Sequence, residues 1–589
     1  MRAEQGHGRG PRLAVGLALA APAIVLAVAL AGCGSKTSTG TSADPAGVVP
    51  ASASVYVGAA VRPSASLKRE ALAGGQALTH QRNPYIRILG VLQTPGSPTL
   101  DFGRDVAPWL GENAGLFLIS LGSSEALTSL LRQGLTASGT VSWPFGSGSG
   151  GAQGAIVLDT SDLAEAQSFV AKQAAHAGAH ASSLDGVPYQ AGSGAAFAVI
   201  DKLVVLGSEA GVRAVIETSR GGAALSADAT YAQLQSHAPA GALWHVYANP
   251  ASAHGHGGGG SGAQSTTGLL QALSGDRPLN VSLVPSAKTL ALDADLGPAP
   301  AGAGSGGGLL TALATGNRAL GELPGESWLA AGLGNVGGEL GGSLGGLNQL
   351  LSLVSTLGSS GAGARAPSSE QTTLSIGGLL EGFLTPLKLL GANTAQARHD
   401  YLSWMGEAGV FAAGTTVVEL KAAAAIDSKN PAASRAAVGK LASALNRSGA
   451  EATPATIPGT EAAIEAKIKG LPVTLVIADG RAADGQTKFV LGLAEASIQA
   501  VLNPPSAMSG ASSYSAAQTA LGAGIQPSVV ANFGTLLTLL EGVGLSEDST
   551  ISPFVPYLRN STVVSGGGQN LGGGVQRLRI VLGLQPAKG

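Results

Sequence analysis

The sequence predicts an α+β fold written twice: a tandem duplication of a domain with a large, mostly antiparallel sheet and helices packed on one face. Two observations carry this. The phrase "DVAPWLGENAGLFLIS" (Asp105 to Ser120) returns about 295 residues later as "HDYLSWMGEAGVFAAG" (His399 to Gly414). Around both copies, short apolar runs with turn residues between them alternate with stretches of helical periodicity.

The repeat extends well beyond the opening pair, and internal self-similarity at domain scale sets the architecture. "PASASVYVGAAV" (from Pro50) is echoed by "PGESWLAAGLGNV" (from Pro324). "LDTSDLAEAQSFVAKQAAHAG" (from Leu158) is echoed by "IDSKNPAASRAAVGKLASALNRSG" (from Ile426). "VVLGSEAGVRAVIE" (from Val204) is echoed by "FVLGLAEASIQAVLN" (from Phe489), and the Tyr231 and Thr266 segments by those at Tyr514 and Gly534. The order is the same in both copies. The spacings drift, so insertions lie between blocks. Repeat one is placed at 50–297 and repeat two at 323–589, joined by a linker at 298–322 whose Gly/Pro-rich joint "GPAPAGAGSGGG" runs from Gly297 to Gly308.

Within a repeat, "SVYVGAAV", "AGLFLIS" and "GAIVLDT" are strands. A helix follows from Asp162 to Ala177, with Leu163, Ala166, Phe169, Val170 and Ala174 at helical spacing, Asp162 and Glu165 as a capping box, and Gly178 as its stop. In repeat two, Asn430 and Pro431 start the matching helix, whose buried stripe is Val438, Leu441 and Leu445. A hairpin turns at Asp201–Lys202, a helix runs Glu209 to Glu217, and "ALWHVYAN" is a strand. "TLALDADL" and "VQRLRIVL" close the two repeats; their alternating polar residues predict one solvated face, with Asp293 and Asp295 on it.

The totals restrict function. Net charge is −2 and charged residues are 12%, so the composition carries no nucleic-acid footprint. Arg2, Arg9 and Arg12 precede an uncharged stretch, Leu13 to Leu30, as in a signal peptide (1–32). The stretch ends at "LAGC", with Cys33 the single cysteine of the chain. "LAGC" resembles the lipobox of bacterial lipoproteins. The resemblance implies that the Cys33 thiol takes a diacylglyceryl group and becomes the first mature residue, so that acyl chains hold the protein on the extracytoplasmic face of the cell membrane. Residues 33–49, small and polar through "GSKTSTGTSADPAG", read as a flexible tether.

The run from "PASASVYVGA" through "LDFGRDVAPWLGENAGLFL" resembles an uncharacterised family of actinobacterial envelope proteins, catalogued only as a domain of unknown function. That resemblance implies no activity. The candidate site residues are therefore the repeated pairs Trp109 with Glu112 and Trp404 with Glu407. One account makes them a binding site in each repeat. The other makes Trp a cover for the sheet edge, Gly111 or Gly406 a turn, and Glu a solvated residue.

Motifs for chemistry fail on context. "GSGSGG" (Gly146 to Gly151) lacks the flanking strand and helix of a dinucleotide site, and "GGSLG" (Gly341 to Gly345) lacks the setting of a nucleophile elbow. His176 and His180 are split by Gly178, and His254 and His256 sit in a Gly-rich loop. No catalytic, cofactor or metal site is predicted. A Leu/Gly-rich helical insertion (about 337–398), with Glu339 the single charge between Ser327 and Ala364, is either a cover for the sheet or a flap over an apolar cavity. The function expected is non-catalytic binding or scaffolding of an envelope partner, the alternative being a carrier for a lipid or other apolar ligand, and the weakest a hydrolase.

Overall fold

The computed structural model describes residues 42–79, 100–120, 145, 152–192, 194–254, 270–299 without 272, 307–339, 402–467 without 417, 474–542 and 555–585. Cys33, Ser343, His256, the Gly146–Gly151 run and all but the first residues of the Leu/Gly-rich insertion lie outside them.

Ten strands precede residue 300: β1 (Val55–Ala60), β2 (Leu110–Ser120), β3 (Gln153–Thr160), β4 (His180–Leu184), β5 (Val187–Ala191), β6 (Ala196–Ile200), β7 (Leu203–Gly207), β8 (Trp244–Ala248), β9 (Leu279–Pro285) and β10 (Thr289–Leu296). Ten follow: β11 (Leu329–Leu333), β12 (Met405–Ala413), β13 (Lys421–Ser428), β14 (Glu451–Pro454), β15 (Thr460–Lys467), β16 (Leu475–Arg481), β17 (Thr487–Leu493), β18 (Gln526–Asn532), β19 (Ser561–Gly572) and β20 (Val575–Leu584). The chain divides into two units. Among the described residues, one holds 42–299 with 569–585, the other 307–568.

In the first unit the strand order is β4-β5-β6-β7-β3-β2-β1-β8-β9-β10-β20, antiparallel throughout. In the second it is β14-β15-β16-β17-β13-β12-β11-β18-β19, also antiparallel. Raising each of the numbers 1–9 by ten turns the first order into the second.

Local chemistry sets the helices as the sequence predicts. Asp162 accepts from the Ala164 and Glu165 N–H groups, while its own N–H donates to Thr160 Oγ1 (3.2 Å) rather than to Glu165, so the expected capping box is a plain N-cap; the helix Leu163–His176 follows, and Gly178 stands at φ +61°. Asn430 caps the helix Pro431–Arg447 in the same way. Asp201 takes φ +52° in its hairpin turn.

Four further expectations are corrected. Helices pack on both sheet faces, not one. In the first unit the helix Leu163–His176 joins the core that holds Ile156, Leu158, Phe197 and Leu206, while the helix Glu209–Ser219 joins the core on the other face, with Ala155, Val157, Ala196 and Val205. Unbroken apolar runs such as those of β3 and β7 are the mark of strands covered on both sides. The stretch assigned to the linker at 298–322 includes two helices, Gly308–Thr315 and Asn317–Glu322, because Ala312 and Leu320 are needed in the second unit's cores. The tether is shorter than 33–49: Ala46 and Val49 are buried against Tyr56 and Phe117.

The fourth concerns β20, placed by sequence in repeat two with one solvated face. It belongs to the first unit, where Asp293 faces Arg579 and Asp295 faces Arg577 across β10. Both aspartates are 0% exposed. Alternation that looks like a wet face is here a charged ladder closed on itself.

Candidate functional site

The Trp109 motif is a self-capped turn that feeds a strand. Asp101 accepts from the Arg104 N–H (2.9 Å) while its own N–H donates to Asp105 Oδ2 (2.8 Å). Between them Phe102–Val106 form one wide π-helical turn, closed by the Ala107 N–H on the Phe102 carbonyl (2.7 Å). Arg104 holds Asp105 with two hydrogen bonds of 2.9 Å, and keeps its carboxyl below the usual carboxylate range. The Trp109 indole N–H then donates back to the Asp105 carbonyl (2.8 Å), its ring lies 4.9 Å from Phe169, and the residue is 1% exposed.

Gly111 serves close approach rather than a turn: it lies within β2, and a Cβ there would strike the Asp159 carboxylate. This corrects the turn expected at that position. Asp159, buried, collects donors from Ser42 Oγ (3.0 Å), the Ala43 N–H (3.3 Å) and the Glu112 N–H (3.0 Å). Asn113 donates to Ser42 Oγ (2.7 Å), so the incoming chain is stitched to the motif.

The second motif keeps the frame and changes the contacts. Trp404 is 1% exposed, with its ring 5.2 Å from Phe489. Its carbonyl accepts from the Lys429 N–H at 2.8 Å, as that of Trp109 does from Ser161. At Gly406 a Cβ would meet the Asp427 carbonyl at 3.0 Å, so this glycine too answers crowding by the neighbouring strand. Glu407 is not simply solvated: Arg318 binds Glu407 (3.2 Å), Glu322 (2.8 Å) and Asp427 (2.5 Å). Lys488, 7% exposed on its side chain, bridges Glu322 (2.6 Å) and Asp427 (2.9 Å). Burial opposes the charge on Lys488, but Asp427 and Glu322 outweigh it and raise its pKa.

Neither tryptophan is therefore an open binding surface. The Trp109 ring instead floors a cleft of about 150 Å³ between the π-turn and the helix Leu163–His176, with Phe169 beside it and Arg104, Asp105, Glu165, Lys172 and His176 at the rim. That volume is small beside the roughly 300–1,000 Å³ of typical ligand pockets. The sequence reading missed these rim residues, although Glu165, Phe169, Lys172 and His176 recur at helical spacing. It also missed the Asp159/Asp427 pair, which the echo "LDTSD"/"IDSKN" contains. Among the described residues no cluster of three or more His, Cys, Asp or Glu is placed to hold a metal ion, and no helix is long and apolar enough to cross a membrane.

Fold and motifs define a two-unit α+β protein whose repeated residues build its frame. A family model described as a protein of unknown function, DUF3352, matches residues 13–463, and the chain belongs to that family. No curated protein matches it. Among solved structures the chain is similar to one titled "Structure of crystal form I of TP0453", with 12% identity, 44% of this chain and 79% of that chain covered, and a TM-score of 0.23.

Proposed function

We propose that the protein is a lipid-anchored, non-catalytic binding or scaffolding protein of the cell envelope, built by tandem duplication of one domain. The observation that carries the anchoring is the single cysteine at the end of "LAGC". Two acyl chains on one residue meet the requirement of about two membrane signals for stable attachment. The packing of the chain from Ser42 onward adds to it: with Ser42 bonded to Asp159, only residues 34–41 separate Cys33 from the fold. Fully extended, such a span reaches roughly 30 Å. The first unit would sit close to the bilayer.

The duplication is supported by the common strand order and by the paired Trp carbonyl, Gly and Asp contacts of the two motifs. The non-catalytic reading is supported by the rim of the Trp109 cleft, where Arg104 and Asp105 are committed to each other and Asp105 is held ionised. Feeding cells a labelled fatty acid tests the anchor. Label should appear in the wild type and vanish in Cys33→Ala; an unlabelled wild type refutes it. Native mass spectrometry of the purified protein should find no stoichiometric lipid beyond the anchor, and a copurifying lipid would favour the carrier instead.

A further inference from the structure

The last described strand, β20, pairs with an edge that the described strands before residue 300 leave open. We propose that β20 is a donor strand: it fills an acidic edge on β10 that is specific for an extended Arg-x-Arg segment, and the first unit closes only when that segment arrives.

The register is fixed by charge. Arg577 donates Nε to Asp295 Oδ1 (2.7 Å) and Nη2 to Oδ2 (2.8 Å), and its Nη1 lies 3.3 Å from Asp293. Arg579 grips Asp293 with two hydrogen bonds of 2.6 Å. Among the described residues, the two arginines ion-paired with these aspartates both stand on β20. On the other side β9 offers them only the neutral Asn280 and Ser282. Without β20 two carboxylates would be left on an edge without either arginine, and Asp295 would keep only the weaker influence of His237 among the described residues. A slip of one residue would turn both arginines to the opposite face, and a slip of two would leave one aspartate unmatched.

The ends of the strand are stitched to the same unit. Gln233 donates to the Gly573 carbonyl (3.0 Å), Arg277 to the Gly574 carbonyl (3.1 Å) and Gln576 (3.2 Å), and the Leu584 N–H to the Lys288 carbonyl (2.8 Å). In chain order the strand comes after residue 568, the last of the other unit. Among the described elements of the first unit it is thus the last to be made.

The test is a cut in the full-length protein. A specific protease site placed in the Gly572–Gly574 turn is cleaved after folding, and retention of the C-terminal fragment is followed by gel filtration and by exchange with a labelled synthetic peptide of residues 574–589. The proposal expects the cut protein to keep the fragment, and Asp295→Asn to release it roughly a hundredfold faster, the scale of losing one buried ion pair. Should Asp295→Asn fail to fold, the exchanged pair Asp295→Arg with Arg577→Asp should restore folding and retention. A fragment that leaves the wild type at once, equal retention by Asp295→Asn, or no rescue by the exchanged pair would each overturn it.

Discussion

The two units cover one and the same patch of their sheets by different means. Strand register aligns β1, β2 and β8 with β11, β12 and β18: Gly58 faces Gly115 in one unit, and Gly332 faces Gly409 in the other. In the first unit the patch is filled by side chains. Buried Tyr56, Tyr231 and Tyr247 pack with half-buried His245, with edge-on contacts such as Tyr231 to Tyr247 at 5.2 Å and 89°. In the second unit the positions matching Tyr56, His245 and Tyr247 hold Ala330, Ser528 and Val530, Tyr514 stands where Tyr231 does, and backbone fills the remaining space. The helix Asn317–Glu322 lies so close to Gly332 that a Cβ there would strike the Gly316 carbonyl, while Leu323 covers Gly409. The same sheet accepts large side chains from within, or small residues and a docked helix. The pair teaches that strand order is the shared property and that core volume is renegotiated around it.

The tryptophan cores show the same exchange on the other face. Helix position 169 is Phe and strand position 204 is Val in the first unit; their counterparts are Ala437 and Phe489. The aromatic ring beside the tryptophan stands on the helix in the first unit and on the strand in the second. Polar groups differ in the same way. Leu203, opposite Asp159, becomes Lys488 opposite Asp427, and Val199 becomes Asp479, which accepts from Ser434 Oγ at 2.5 Å.

The largest test of this comparison is Trp109→Ala and Trp404→Ala. Each should cost about 3–5 kcal/mol of unfolding free energy in denaturant titrations. Loss from one only would break the equivalence of the motifs, and loss from neither would return them to the surface. Next comes the buried ion cluster. Lys488→Ala should cost about 1–2 kcal/mol, since it removes one of the two cations on Asp427 and Glu322 and leaves them Arg318 alone, whereas Lys488→Leu, the first unit's solution, should lose less because packing is kept.

The aromatic group predicts a pH effect confined to the first unit. Burial pushes His245 down to about 4. An unfolded histidine titrates near pH 6.5. Above that both states are neutral and there is no effect. As pH falls from about 6.5 to about 4, only the unfolded chain gains the proton, so stability should drop by up to about 3 kcal/mol and then level off. His245→Ser, the second unit's residue, should flatten that slope in thermal melts. Asp479→Asn is smaller and of opposite sign. Its carboxyl is pushed up by burial and holds one buried oxygen without a hydrogen bond, so neutralising it should raise stability at pH 7 by about 1 kcal/mol. Stability given up by the buried acid returns as pH falls through its raised pKa, so the gain from Asp479→Asn should shrink in acid.

Much of this frame was legible in the sequence, for a physical reason. Caps such as Asp162 and Asn430 act within three residues, and the echo of whole phrases does not depend on contacts. What escaped depends on partners far along the chain. Asp295 and Arg577 are 282 residues apart, and alternation alone reads the same whether the polar face meets water or its complement. Gly111 looked like a turn because its real neighbour, the Asp159 carboxylate, lies on another strand. The helices at 308–322 were hidden behind a Gly/Pro-rich lead.

Paired cysteines test the common strand order most directly. In a Cys33→Ala background, Val57→Cys with Val246→Cys probes β1 against β8, and Ala331→Cys with Val529→Cys probes β11 against β18, two pairs placed alike in their units. Directly opposed antiparallel residues lie within disulfide reach. Both pairs should close on mild oxidation of the folded protein; closure of one pair without the other would contradict two copies of one fold.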